Sequence, residues 1–276
     1  RIAEITWQPK EQIAANHTIT IKLDSAQHIQ SQLLLACDGA NSPCRQLAGI
    51  NVKRSDYQQV ALITNVATKK AHQNKAFERF TEFGPLAMLP LTRLTSEQSQ
   101  QNDGGRCSLV WTMLPEQSKT IAALSDDEFK QQLELAFGSW LGEITQVGKR
   151  DIYPLALLQA SQSTYHRMAL IGNASHTIHP IAGQGFNLGL RDVQQMRALI
   201  EKNLHENKDI GSFALLNEYA QKRQLDQNQI IALTDSLVTL FANNLPPLVA
   251  GRNIGLKAMN YLSPIKNSLV NKLMGY

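Results

Sequence analysis

The chain has 276 residues, 43% hydrophobic and 18% charged, with 27 basic and 23 acidic side chains giving a formal net charge of +4. That is enough apolar material for one large or two interleaved domains, and the charge is too small and too scattered for a nucleic-acid partner. Cys37, Cys44 and Cys107 are an odd set without metal-ligand spacing, which points to a reducing, cytoplasmic address and to no metal site.

Residues 2 to 7 and 17 to 23 alternate apolar with polar and predict strands, while Leu33 to Cys37 is a continuous apolar run that predicts a strand buried on both faces. The chain begins at Arg1 without methionine, already inside the alternation, which predicts a fragment. Strand patterns continue at Val60 to Val66, Phe77 to Phe83, Leu86 to Leu91 and Cys107 to Leu114, with a solvated hairpin loop expected from Thr95 to Gly105. Ser125 followed by Glu128 forms a capping box that opens a helix to about Leu141. Strands are predicted around 151 to 158 and 168 to 172, and helices from about 185 to 204, 212 to 242 and, past a break at Pro246-Pro247, 251 to 275. The order implies an α/β unit carrying an inserted antiparallel sheet. No apolar run reaches the ~20 residues that cross a bilayer. The apolar and lysine pattern from Leu245 to Tyr276 suits either a membrane surface, a partner helix or packing on its own domain.

Two stretches carry chemistry. In "LLLACDGANSPCRQL", residues 33 to 47, the strand ends at Asp38-Gly39, and Ser42-Pro43 supplies an N-cap and first-turn proline. Asp38 at a strand's carboxyl end can hold a ligand hydroxyl or guanidinium, or it can cap a turn. In "IGNASHTIHPIAGQGFNLGLRDV", residues 171 to 193, a strand ends at Gly172-Asn173, and Pro180, Gly183 and Gly185 precede a helix whose first acid is Asp192. Helix starts normally attract acids. Their absence, with so little side chain, leaves the positive end open for something flat or anionic; the other reading is that the glycines permit tight helix-on-strand packing. Neither Gly-Lys-Ser/Thr nor a true Gly-x-Gly-x-x-Gly is present, since Gly183 to Gly189 has one residue too many.

These two motifs resemble the Asp-Gly and Gly-Asp motifs of the FAD-dependent aromatic hydroxylases of the p-hydroxybenzoate hydroxylase class. With "FERFTEFGPLAMLPL" and "CSLVWTMLP" they are most similar to its ubiquinone-biosynthesis branch. The resemblance implies an incomplete p-hydroxybenzoate-hydroxylase-like FAD-binding fold. Its parts would be a partial FAD-binding domain over 1–48, an antiparallel-sheet substrate domain over 49–160, the return of the FAD-binding domain over 161–210 and a helical region over 211–276. The missing amino-terminal loop implies weak or absent FAD in this stretch alone. The implied reaction uses FAD, NAD(P)H and O₂ to hydroxylate a polyprenylphenol, at the inner membrane face or beside other proteins of the pathway. The competing reading is a non-catalytic module that binds lipid-tailed substrate or partners.

Carried over residue by residue, the resemblance places Gly172 and Asn173 at the ribityl chain, with Asn173 standing where the family usually has aspartate. Pro180 would lie against the ring, Gly183, Gln184, Gly185, Phe186 and Asn187 around its pyrimidine side, and Asp38, Gly39 and Arg45 along the groove for pyrophosphate and nicotinamide. His176 and His179 are acid–base candidates by residue type, although flavin hydroxylation requires neither. Segments 77 to 91 and 107 to 114 would form the substrate wall, bent at Gly84-Pro85. Their Phe, Leu, Met and Trp suit a prenyl tail or an ordinary core equally.

Overall fold

The computed structural model describes residues 2–7, 18–81, 84–92, 104–242, 245–261, 264 and 267. The chain divides into two units, one of residues 1–55, 156–236 and 256–276 and the other of residues 56–155 and 237–255.

In the first unit, the alternating segments form β1 (Ile2–Thr6), β2 (Ile19–Leu23) and β3 (His28–Ser31), an antiparallel sheet in chain order that turns Ile5, Ile19 and Ile21 inward. The apolar run yields only β4 (Leu34–Ala36). Its expected burial on both faces is corrected. Side chains alternate along a strand: Leu34 and Ala36 pack into one core with Met168 and Leu170, and Leu33, just before the strand, packs half-buried against the Ala169 cluster on the other face, whereas Leu35 is 40% exposed. Ser42 caps α1 (Pro43–Leu47) as expected, its hydroxyl accepting the Arg45 N–H at 3.0 Å.

The second unit is built on β5 (Val52–Thr68), β6 (Phe77–Thr81), β7 (Gly84–Leu91) and β8 (Gly105–Met113), with α2 (Pro115–Ala123), α3 (Asp126–Phe137), β9 (Ile144–Val147) and β10 (Asp151–Ala160) following. Its antiparallel sheet runs β10-β5-β8-β7-β6, and β9 also pairs with β5. Trp111 faces both Leu62 and Leu86, and Met88 faces Leu109. The period of two puts all five on one face, where α3 covers them with Phe129, Leu133 and Phe137. Each such burial is worth about 1.5–3 kcal/mol, so these residues are spent on the fold. The expectation that the large apolar residues of these strands line a substrate wall is thereby corrected for Leu86, Met88, Leu109 and Trp111. The opposite face carries the smaller, half-exposed Ile63, Ala87 and Val110. The capping box of α3 is present in both directions, with the Glu128 N–H 3.3 Å from Ser125 Oγ and the Ser125 N–H 3.0 Å from Glu128 Oε2. Helix α2 was not foreseen, although Pro115 at its first position and Glu116 in its first turn are start signals. The hairpin β7–β8 forms as expected; of its loop, residues 93–103 lie outside the described residues.

Gly84 has φ +144°, and a Cβ there would stand 2.8 Å from Thr112 Cγ2 and 3.0 Å from Thr112 Cβ. Gly84→Ala is therefore expected to lose about 2 kcal/mol from backbone strain plus the clash, measured by urea unfolding, while Gly183→Ala, with φ +62° but open space around it, loses less.

Back in the first unit, β11 (Thr164–Tyr165) pairs with β12 (Met168–Leu170), and β12 runs parallel to β4 in the register Met168↔Leu34 to Leu170↔Ala36. β13 (His176–Thr177) pairs with the end of β10. Then come α4 (Gln184–His205), α5 (Phe213–Ala242) and α6 (Pro246–Tyr261). The first two match the periodicity within a residue or two. Pro246-Pro247 starts α6 rather than breaking the chain, since a first-turn proline forfeits no intrahelical bond. No described helix is long and apolar enough to cross a membrane.

Candidate functional site

The parallel pairing of β4 and β12 brings the two motifs to the same carboxyl edge of one sheet, the place where open α/β sheets take ligands. The Ile171 N–H donates to the Ala36 carbonyl at 3.0 Å, extending the pairing to the point where both chains turn away.

At the first strand end, Asp38 Oδ2 accepts the Cys44 N–H at 3.0 Å, so this carboxylate caps the start of α1. Burial alone would raise the Asp38 carboxyl, but hydrogen bonds from Ser42 and Cys44 outweigh it and hold it below its usual value, leaving it ionised. Gly39, at φ +86°, has nothing within 4 Å of where a Cβ would be, so the backbone there is open to close approach. Arg45 is buried, and its guanidinium donates to the Ala174 carbonyl at 2.7 Å and to the Ala40 carbonyl at 2.8 Å. Where a charge facing a groove was expected, the structure has a clamp joining the two motif loops.

At the second strand end, Gly172 has φ +59° and opens a 3₁₀ turn through Ala174, and Asn173 is exposed at its crest. Gly172 sits against α4, since a Cβ on Gly189 would lie 3.4 Å from the Gly172 Cα. Tight helix-on-strand packing thus explains Gly189. It does not explain Gly183, where a Cβ would meet nothing within 4 Å, and Gly185 would make only ordinary contact with Ile178. Gly183 is the N-cap of α4, left-handed at φ +62°, without a side-chain cap bond and with no acid in the helix's first turn. Pro180 precedes it in a short 3₁₀ turn, Gln184 is buried, Asn187 is exposed and Phe186 is 79% exposed. The result is a helix amino terminus whose partial positive charge is offset by no acid in its first turn and by no cap bond from the N-cap residue.

The two histidines do not join this open edge. His179 is fully buried with Nδ1 accepting the Ile181 N–H at 3.3 Å, and burial, only partly offset by Asp235, pushes it down to about 4. His176 is 1% exposed, neither ring nitrogen has a hydrogen-bond partner among the described residues, and burial lowers it although Asp192 Oδ2 stands 3.8 Å away. Burial thus keeps both imidazoles neutral at pH 7.

The residues that hold the site together were not singled out from sequence. Asp192 is fully buried and its Oδ2 accepts the Gly172 N–H at 2.8 Å. Its Oδ1 accepts Arg223 Nε at 2.6 Å and Gln227 Nε2 at 3.3 Å. Arg223 also donates to Asp226 at 2.6 Å and to the Leu188 carbonyl at 3.3 Å, and Arg191 reaches Asp226 from α4 at 3.0 Å. The only signal was Asp192 as the first acid of α4.

An acid-free start on the helix that packs against the second strand end suits a flavin's electron-accepting edge, and comparison with known proteins gives the same direction. The FAD binding domain family model matches residues 6–234. The chain is 35% identical over 257 residues to ubiquinone hydroxylase UbiL of Rhodospirillum rubrum, covering 93% of this chain and 57% of that protein. It is 31% identical to the mitochondrial ubiquinone biosynthesis monooxygenase COQ6 of Caenorhabditis elegans, covering 95% of this chain and 64% of that one. The chain therefore spans roughly three fifths of the length of these relatives. Among solved structures, p-nitrophenol 4-monooxygenase PnpA of Pseudomonas putida superposes with a TM-score of 0.73 at 16% identity, covering all of this chain and 66% of that one. Klebsiella pneumoniae HpxO, complexed with FAD and uric acid, gives a TM-score of 0.68 at 17% identity, covering 99% of this chain and 66% of that one. By its match over residues 6–234, with both motifs at one sheet edge, the chain belongs to the FAD-binding domain family.

Proposed function

We propose that this chain is the flavin-holding and substrate-facing part of an FAD-dependent monooxygenase that hydroxylates a polyprenylated phenol in ubiquinone biosynthesis, using NAD(P)H and O₂. The single observation that carries the reading is the acid-free start of α4 at the left-handed Gly183, with open space where a Cβ would be, which can face a ring that gains negative charge on reduction. The motifs resemble those of 2-octaprenyl-6-methoxyphenol hydroxylase. The relatives named for ubiquinone hydroxylation support the substrate class.

When bound, FAD supplies the redox chemistry and the activation of O₂. The chain's own work is binding and orientation. The N–H groups at the start of α4, around Gly183, Gln184, Gly185, Phe186 and Asn187, would stabilise charge on the ring. The amide of Asn173 can both donate to and accept from the ribityl hydroxyls. Gly39 and Gly172 would let the cofactor approach the backbone, while Asp38 and Arg45 would hold the loops that frame it, and Pro180 would lie beside the ring. A polyprenyl tail is a bilayer resident, so the enzyme would work against the membrane's inner face; exposed Leu245, Ile254 and Lys257 of the carboxyl-terminal region are suited to it.

The test is a pair of substitutions at one atom's difference. Asn and Asp both tolerate the left-handed Gly183 backbone, but only Asp adds a charge that neutralises the helix terminus. Flavin titration followed by fluorescence quenching is expected to show Gly183→Asp at least about tenfold weaker than Gly183→Asn, consistent with ~1–2 kcal/mol for a charge at a partly buried helix end. Equal affinities for the two variants would refute the placement of the ring.

A further inference from the structure

We infer that Asp192 is a positioning residue for the flavin, acting through the turn Gly172–Asn173; the inference rests on the flavin reading above. Two parts of the chain must be held in register to receive one rigid ring and its ribityl chain: the start of α4 and the turn that carries Asn173. Asp192 lies on α4, two turns beyond its amino terminus, and its Oδ2 takes the Gly172 N–H at 2.8 Å. One carboxylate thus ties the turn to the very helix that offers its end.

The carboxylate itself cannot rotate. Its other oxygen is held by Arg223 Nε at 2.6 Å and by Gln227 at 3.3 Å, and the Arg223 fork is fixed in turn by Asp226 and the Leu188 carbonyl. The group is fully buried, so water cannot replace a lost bond without cost. Gly172 is held in a left-handed conformation, φ +59°, with its Cα against Gly189 of the same helix, so the turn has one close contact and one hydrogen bond to α4 at a single residue. An amide at position 192 cannot reproduce this arrangement. Its partners, the Gly172 N–H on one oxygen and the Arg223 guanidinium and Gln227 amide on the other, all donate, and an asparagine must turn its NH₂ toward one side.

The experiment compares Asp192→Asn with Tyr219→Phe, which removes another buried bond of the same unit, from Tyr219 Oη to the Leu170 carbonyl at 3.0 Å, without touching the turn. Two quantities are read at a temperature where far-UV circular dichroism shows both variants folded. In the flavin-free protein, amide exchange over residues 168–178 is expected to rise about tenfold at Gly172 for Asp192→Asn, with Met168 to Leu170 still protected. With flavin added, Asp192→Asn is expected to bind about tenfold more weakly with an altered visible band shape, while Tyr219→Phe lowers Tm but keeps affinity and band shape. Should Asp192→Asn not fold, Asp192→Glu keeps the charge for Arg223 but displaces the oxygen from Gly172, and the same weakening is expected. Wild-type affinity and band shape in a variant whose Gly172 exchange has risen would overturn the inference, as would equal weakening in Tyr219→Phe. Because weak or absent FAD is expected of this stretch alone, the flavin measurements use the chain joined to the amino-terminal loop that the resemblance implies, and a wild type of that length that takes up no flavin would instead sink the functional reading beneath it.

Discussion

Arg223→Met is expected to destabilise the protein by about 3–5 kcal/mol, with urea unfolding at pH 7.5 as the measurement and a Tm lower by about 10 °C as its thermal counterpart. The side chains of Asp192 and Arg223 are 0% and 6% exposed, so the methionine leaves a carboxylate in the interior with hydrogen bonds from the Gly172 N–H and Gln227 and a neutral His176 3.8 Å away, and without its arginine. The same change strips Asp226 of one of its two arginine partners, leaving Arg191. A buried pair of this kind adds little net stability when formed but costs a great deal when halved, because the desolvation of the remaining charge is no longer offset. A double variant with Asp192→Leu as well is therefore expected to lose less than the sum of the two single losses. Strict additivity would show that the ion pair is not coupled. Arg223→Lys is expected to recover only part of the stability, since an ammonium cannot span Asp192, Asp226 and the Leu188 carbonyl as the guanidinium fork does.

That pair also marks the boundary of what the sequence reveals. Features whose partners lie within a few residues were legible. Ser42-Pro43 and Ser125 with Glu128 each predict a helix start from local chemistry alone, and both form. The alternation of β7 and β8 predicts their hairpin, and the acid-free stretch from Gly183 to Arg191 predicts the open helix terminus. What failed to show depends on which face a distant element covers. Leu35 was expected to be buried from its neighbours' composition, yet it is 40% exposed, although its register partner Ala169 and the nearby Leu33 pack into a core on that face. Met88 and Trp111 read equally as pocket or core until α3 is seen to lie on them. Arg45 offered a plausible charge for a cofactor, but its partners are carbonyls, one of them at Ala174, far along the chain, and a guanidinium gives no sequence signal of the carbonyl it will meet. Asp192 and Arg223 sit on different helices, and neither the 3.6-residue period nor any short motif couples them.

The acid limb of the stability curve provides the second large effect. His179 titrates near 6.5 in the unfolded chain and is pushed down to about 4 in the fold by burial, with Asp235 offsetting only a part. His176 is lowered in the same direction by burial, with Asp192 and Asp226 working against the shift and Arg223 with it. Above about pH 6.5 both imidazoles are neutral in either state and titration adds no difference. Below it the unfolded chain binds protons that the folded chain refuses, so stability falls as the pH drops, and for His179 the fall continues until about pH 4. A displacement of that size amounts to about 3 kcal/mol once complete and about 2 kcal/mol by pH 5. His179→Asn should separate this contribution from the carboxylates, because its Oδ1 can accept the Ile181 N–H in place of Nδ1 but cannot be protonated in this range. Urea unfolding at pH 7.5 and pH 5 is expected to give a wild-type loss larger than that of His179→Asn by about 2 kcal/mol. Identical losses would mean that the His179 ring reaches water or a proton acceptor in the folded protein, and the imidazole next to Pro180 would then return as an acid–base group at the flavin edge.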